Sequence, residues 1–424
     1  MILYGSTNRK YEIADMIGKG GEGTLYKLTD DGICAKIYKN PNEDRKMKIQ
    51  ALVSIDWSEE FRKYLVLPKD ILYADPQKKD FVGYTMRFLE GYEKLSEIYS
   101  ETHPLSLYKR VWIASELCRI VKAVHSESKS CIGDFNERNI MVNRKTCDIK
   151  IIDVDSFHLM LKYKGKEVPL PCNGLDPNLF CPELLELFSK TKAHSFAEIP
   201  KSTQTFTKYT DYYILATHIH LLLLGVRPYA CALDDAAIAR SEAVPSINSM
   251  AINGEYVYSN RPQKTLVPPH FPDFDILSTR LKQLFISTFE IGAVRPKIRG
   301  TASEYLDALE EYRVNLRLNK NCSGFDHYLP IDYKGSECPW CKSERLKKTR
   351  RKLADEDIQY MTDEELTHLV KMPSYCSKAH HEIGMRMTGR VKRIGIETDR
   401  KRICGLYHLA RARLSEKTSN AASV

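Results

Sequence analysis

The 424-residue sequence predicts an α+β fold, and three observations carry that reading. Gly18-Lys19-Gly20-Gly21-Glu22-Gly23 lies between two short β-prone runs, Tyr11 to Ile17 and Thr24 to Leu28. A further strand, Ile33 to Tyr38, carries Lys36 between apolar neighbours, thirteen residues after Gly23. Far downstream, Asp134, Asn136, Asn139 and Asp153 surround a short apolar hairpin, beyond a segment of helical periodicity.

In chain order the glycines come first. Gly18, Gly20, Gly21 and Gly23 permit a hairpin tip whose backbone approaches phosphates closely. A glycine pattern alone is weak evidence, but no dinucleotide-type helix follows directly here. Lys36 then stands where a lysine holds the α and β phosphates of a nucleotide. The alternative is a solvated edge lysine, which the neighbours Ala35 and Ile37 disfavour. A basic helix is expected near Asp44 to Ser54, and strands near Ile71 and Phe81. Met86 precedes a hinge-like Arg87-Phe88-Leu89, so Met86 and Phe88 border the expected adenine pocket, although a methionine is ordinarily core filler.

A helix over Ser106 to Ser126 aligns Val111, Ala114, Leu117, Val121 and Val124 in one apolar stripe. His125 at its end is read as satisfying core hydrogen bonds, with no catalytic role. Asp134 and Asn139 sit five apart, as in the protein-kinase catalytic loop, where the aspartate accepts the substrate hydroxyl's proton and the asparagine holds Mg²⁺. Asp153, after the run Ile149 to Ile152, matches the aspartate that ligates the metal bridging the ATP phosphates. One competing reading is a surface hairpin whose Asp and Asn only make turns. A calcium loop is excluded, because its fifth, sixth and twelfth positions counted from Asp134 would be Arg138, Asn139 and Lys145. Farther on, Cys181-Pro182-Glu183 stands where kinases carry Ala-Pro-Glu, Asp211 opens an apolar helix, and Arg295 is the expected partner of Glu183.

The ordered motifs GGEG, AK, IGDFNERN, IIDVDSF, CPEL, RP and CPWC resemble, over about residues 10 to 345, the bacterial protein-kinase-like family related to helix-hairpin-helix-and-kinase proteins. The resemblance implies a bilobal protein-kinase-like fold with a small C-terminal zinc knuckle and a basic, mainly helical tail. Its expected boundaries are residues 1–88 for the N-lobe, 89–316 for the C-lobe, 317–345 for the knuckle and 346–424 for the tail. It implies ATP and Mg²⁺ as cofactors, with Asp134 as base, Asn139 and Asp153 on the metal, and Lys36 on the phosphates. It also implies a protein substrate, and partners of the von Willebrand A and metal-dependent phosphatase kinds, beside which such proteins are often encoded.

Several positions depart from the kinase pattern. Ile132 and Gly133 replace the histidine and arginine before the catalytic aspartate, removing the arginine that usually pairs with a phosphorylated activation loop. From Phe157 to Pro182 the only hydroxyl is that of Tyr163, so activity is expected not to depend on activation-loop phosphorylation. Asp155 replaces a glycine; it either assists a second Mg²⁺ or, the favoured reading, caps the next turn. Asn136 replaces a lysine that contacts the transferred phosphate and, being neutral, gives less transition-state stabilisation. The glutamate that should pair with Lys36 has no evident source, since Glu43 and Asp44 are too near in sequence and Asp56 and Glu59 lie past the helix.

With 43% hydrophobic residues the chain can bury two cores and a small appendage. No signal-peptide pattern opens it, and the best apolar run, Tyr212 to Val226, is too short for a bilayer and contains His218 and His220. Cytoplasm is therefore expected, with no membrane partner. Twelve cysteines then point to reduced thiols and a metal site rather than a disulfide framework. Cys322, His327, Cys338 and Cys341 are spaced for tetrahedral zinc; a redox Cys-x-x-Cys and plain buried thiols are the alternatives.

After Cys341, 19 Lys and Arg stand against 11 Asp and Glu, so nearly all of the net charge of +9 lies in the tail. Its clusters, Lys347 to Lys352, Arg390 to Arg393 and Arg400 to Arg402, could attract nucleic acid, but docking of a partner protein is the preferred reading. The expected function is an ATP-dependent Ser/Thr-type protein kinase. The alternative is a nucleotide-binding pseudokinase scaffold that docks partners through the knuckle and tail.

Overall fold

A computed structural model describes residues 1–99, 105–126, 130–163, 166–170, 172, 179–191, 206–233, 245–259, 261, 265–268, 270–322 and 327–346. The basic clusters of the tail lie outside these residues, as does part of the segment from Phe157 to Pro182. The chain divides into two compact units, Met1–Leu223 with Ser278–Leu316, and Leu224–Leu277 with the chain from Arg317 onward.

In the first unit six strands close a barrel in the order β1 (Ile2–Tyr4), β2 (Lys10–Lys19), β3 (Gly23–Leu28), β4 (Ile33–Tyr38), β6 (Phe81–Arg87) and β5 (Pro68–Tyr73). The β-prone pattern of the sequence starts only at Tyr11, because the three residues of β1 are too few to show alternation. β1 pairs with both β2 and β5, so closure leaves no edge strand to template aggregation. The pleat sorts the side chains of β4. Ile33, Ala35 and Ile37 pack with Leu3, Tyr11, Leu28 and Leu72 in one cluster. Cys34, Lys36 and Tyr38 point the other way and are also buried.

Helix α1 (Glu43–Ser54) starts at Asn42, whose side chain accepts the Arg45 amide, and packs on β5 and β6. Its buried face includes Lys48 along with Ile49, Ala51 and Leu52. Helix α2 (Glu59–Tyr64) is capped in the same way by Ser58. After β7 (Glu93–Lys94) and the single turn α3 (Leu95–Ile98), helix α4 (Leu107–Ser126) buries the whole expected stripe. It lies against the helix Ala302–Val314, which a Thr301–Glu304 capping box starts. Strands β8 (Ile140–Val142) and β9 (Ile149–Ile151) form the hairpin after Asn139. Helix α5 (Pro182–Thr191) follows, and helix α6 (Lys208–Leu224) is buried through most of its length, His218 and His220 included. Among the described residues no helix is long and apolar enough to cross a membrane.

In the second unit, Ser246 caps the helix Ile247–Asn253, which Gly254 ends in the left-handed conformation. Tyr258 stacks on Phe274 at 4.6 Å and donates to the Pro272 carbonyl at 2.9 Å. Ser343 donates to the His270 carbonyl at 2.7 Å, tying the turn after Cys341 to this aromatic cluster.

Candidate active site and metal centre

The loop carrying Asp134 is held from below by two residues of α6. Asp211 accepts the amides of Ile132 at 2.8 Å and Gly133 at 3.2 Å, and its other contact is His125 Nε2 at 2.8 Å. His125 thus has the core role expected of it. His218 places Nε2 2.7 Å from the Phe135 carbonyl and Nδ1 2.8 Å from the Tyr99 hydroxyl. Gly133 has φ +70°, and a Cβ there would lie 3.1 Å from Cys172 Sγ. That backbone conformation favours glycine, which accounts for the missing arginine.

Within the loop, Asn136 is buried and turned inward. Its Nδ2 donates to Asp134 Oδ1 at 2.9 Å, and its Oδ1 accepts the amides of Arg138 at 2.9 Å and Asn139 at 3.2 Å. Asn139 Nδ2 donates to the Asp134 carbonyl at 3.2 Å and to Asp134 Oδ2 at 3.3 Å. Both oxygens of Asp134 are therefore oriented by amides. Asn136 acts on Asp134 and does not reach outward as the lysine it replaces would.

Lys36 Nζ, on β4, hydrogen-bonds to Asp153 Oδ1 and to both oxygens of Asp155 at 3.0 Å, and lies 4.0 Å from Glu22 Oε2. Tyr38 and Tyr84 donate to the same Asp155 carboxylate at 2.6 and 2.7 Å. Asp155 therefore does not cap the following turn, as the sequence reading favoured; its carboxylate is engaged by the barrel. None of Glu43, Asp44, Asp56 or Glu59 pairs with Lys36; Glu43 and Asp56 bond instead to Lys46 and Arg62. From α1 comes a cation instead: Lys48 Nζ donates to the Phe157 carbonyl at 2.6 Å, and burial lowers its pKa to about 8.

Asp153 takes φ +65°, a left-handed conformation that aspartate tolerates better than most residues but that stores strain. Ser156 Oγ donates to the Asp153 carbonyl at 2.7 Å and helps hold it. Burial opposes the charge on Lys36, but Asp155 and Asp153 outweigh it and raise the lysine above its ordinary value. Burial likewise opposes ionisation of Asp155, and Lys36 with the two phenols holds that carboxyl below the usual range. Burial lifts Asp153 against the pull of Lys36, with the neighbouring Asp155 charge adding to the rise.

The β2–β3 hairpin turns with the Gly20 amide donating to the Gly23 carbonyl at 2.9 Å. A Cβ at Gly18 or Gly21 would meet nothing within 4 Å, so protein packing does not require either glycine. Gly23 is different: a Cβ there would lie 2.4 Å from the Ile37 carbonyl oxygen, so the β3–β4 approach demands it. Met86 is buried on β6 opposite Cys34. The Phe88 amide donates to the Gly32 carbonyl at 2.9 Å and is thus engaged by the β3–β4 turn.

Glu183 pairs with Arg299, not with the expected Arg295. The pair is bidentate, at 2.8 and 2.6 Å, and Arg299 is only 2% exposed. Arg299 also donates to the Gly292 and Tyr209 carbonyls, each at 2.8 Å, and lies over the Tyr213 ring. A π-helical turn at Ser287–Ile291 and a 3-10 turn at Pro296–Ile298 redirect the chain here, leaving Arg295 exposed.

In the second unit, His327 Nδ1 lies 3.4 Å from Cys322 Sγ and 3.5 Å from the sulfurs of Cys338 and Cys341. All four ligand atoms fall within 4.8 Å of one another and could hold a metal ion. A tetrahedral ion with ordinary Zn–S and Zn–N bonds separates sulfur from nitrogen by about 3.5 Å, so the donor set fits. His327 Nε2 is 3.6 Å from Glu344 Oε1, the kind of outer carboxylate that fixes a ligating imidazole. The Asn319 amide donates to the His327 carbonyl at 2.7 Å and Trp340 Nε1 to the Tyr328 carbonyl at 2.9 Å, bracing the ligands.

No protein-family model matches the chain, and no curated protein matches it. Solved structures do. The twitchin kinase region from C. elegans is 16% identical with a TM-score of 0.50, covering 80% of this chain and 50% of that one. A twitchin kinase fragment from C. elegans, described as an autoregulated protein kinase with immunoglobulin domains, is also 16% identical with a TM-score of 0.50, covering 80% and 64%. The chain thus spans less than two thirds of either solved chain. The likeness shows a protein-kinase-like fold.

Proposed function

We propose that this protein is a protein kinase of the Ser/Thr type that transfers the γ-phosphate of Mg²⁺·ATP to a protein hydroxyl. One observation carries the reading: on a kinase-like fold, an oriented carboxylate, Asp134, is retained together with the pair of Lys36 and Asp153. Asp134 accepts the proton of the attacking hydroxyl, its angle set by Asn136 and Asn139. Asp153 and Asn139 supply oxygens for the metal, which neutralises phosphate charge when bound. Lys36 binds the phosphates, and the unobstructed Gly18 and Gly21 leave backbone free to approach them. The motifs GGEG, IGDFNERN, DVDSF and CPWC support affiliation with the bacterial kinase-like family named above.

Incubation with Mg²⁺ and γ-labelled ATP, with and without a generic basic protein substrate, tests this. Acid-stable label on serine or threonine is the expected result. Absence of label with nucleotide binding intact would favour the pseudokinase scaffold, a reading to which the neutral, inward-turned Asn136 lends specific support.

The ion held by Cys322, His327, Cys338 and Cys341 is proposed to be a structural zinc. Metal analysis is expected to give about one zinc per chain, lost in Cys341→Ser. Because metal affinity at such sites is folding free energy, on the order of 10 kcal/mol, chelation should unfold the knuckle. Zinc-free protein with stability indifferent to chelator would refute the assignment.

A further inference from the structure

We propose that Asp155 is the residue that positions Lys36, in place of a carboxylate on helix α1. The inference rests on the kinase reading of the site and adds to it a positioning residue. Four hydrogen bonds fix the Asp155 carboxylate: two from Lys36 Nζ at 3.0 Å, one from Tyr38 at 2.6 Å and one from Tyr84 at 2.7 Å. All three donors stand on barrel strands. Tyr38 follows Lys36 by two residues on β4, and Tyr84 is the direct cross-strand partner of Lys36 on β6. One small patch of barrel thus presents a cation and two phenols to one carboxylate, and at 6% exposure Asp155 is nearly sealed from solvent.

Asp153 and Asp155 divide two tasks. Asp153 sits in a left-handed turn with its side chain 24% exposed, whereas the side chain of Asp155 is 5% exposed. With Asp153 committed to a metal, Asp155 is the carboxylate left to hold Lys36. Glu22 does not compete, being 4.0 Å away and bonded to Arg45 at 2.9 Å.

Helix α1 has the opposite charge at its inner face. Lys48 is buried and bonded to the Phe157 carbonyl, two residues past Asp155. The carboxylate for Lys36 therefore comes from the segment that α1 grips through Lys48, not from α1 itself.

Transfer rates and unfolding midpoints are compared for wild type, Lys36→Met, Asp155→Asn and the double variant. Displacing Lys36 by about 1 Å predicts roughly a 10²-fold fall in kcat for Asp155→Asn, larger than the change in KM. Adding Asp155→Asn to Lys36→Met should lower the rate no further, because the two act as one unit. Losses that multiply in the double variant would overturn the proposal. Midpoints in the absence of nucleotide give a readout independent of catalysis: the double variant should be destabilised by less than the sum of the singles, and additive midpoints would overturn the pairing. If wild type transfers no phosphate while the midpoints remain non-additive, the kinase reading fails and the pairing stands. Should Asp155→Asn not fold, Tyr84→Phe, which removes one donor to Asp155, should lower kcat in the same direction by a smaller factor, and an unchanged kcat would overturn the role.

Discussion

Asp134→Asn is expected to lower phosphate transfer by about 10²–10⁴-fold, the range for loss of a general base, with nucleotide affinity largely unchanged. The substitution is nearly isosteric and leaves the backbone anchors at Asp211 in place. Its second effect is local. Asp134 accepts from Asn136 on one oxygen and from Asn139 on the other, and an asparagine can satisfy only one of these amides. Asn139 is the more weakly held by that side chain, at 3.3 Å, and keeps its 3.2 Å bond to the main-chain carbonyl of residue 134, so Mg²⁺ affinity should change little. Single-turnover rates on protein with an unaltered unfolding midpoint separate the loss of the base from any loss of fold. A variant as active as wild type would remove Asp134 from the mechanism.

Glu183→Ala is expected to destabilise the first unit by about 3 kcal/mol, the lower end of the range for a buried pair that loses one partner. Arg299 would keep its bonds to the Gly292 and Tyr209 carbonyls, but its charge would stay buried and unmatched. The lower end applies because Glu183 is one-third exposed, so part of the pair's field already falls in water. Arg295→Ala, at an exposed position, should change stability by less than about 0.5 kcal/mol. Denaturant unfolding of the two variants side by side distinguishes the pair seen in the structure from the one that spacing suggested.

The elements with strong local patterns were legible in the sequence. The stripe of α4, the apolar run of α6 and the glycine hairpin each follow from periodicity or from conformational freedom within one segment. Spacing also brought Cys322, His327, Cys338 and Cys341 together, since a metal site of this kind is nearly contiguous in sequence. What sequence missed lies between segments. Nothing local marks β1 as the strand that closes the barrel, because closure is a property of its pairings with β2 and β5. Glu183 found a different arginine because a π-helical turn shifts the count by amounts that side-chain pattern does not record.

Asp155 is the instructive case. Read in its own segment it looked like a turn-capping carboxylate, because aspartate so often is one. Its donors Lys36, Tyr38 and Tyr84 are 119, 117 and 71 residues away. A signal was present, however: Lys36 and Tyr38 share one face of β4, and a lysine buried with a phenol calls for an anion that α1, with its basic inner residue, does not provide.

Lys36, Asp153 and Asn139 are proposed to form a site for metal-bound nucleotide, which the kinase and pseudokinase readings share. Calorimetric titration with ATP, with and without Mg²⁺, tests it on wild type and on Asp153→Asn. Mg²⁺ should tighten ATP binding by at least about tenfold, or 1.4 kcal/mol, and Asp153→Asn should abolish the difference. Folded wild-type protein that binds no ATP, or binds it equally with and without Mg²⁺, would contradict it.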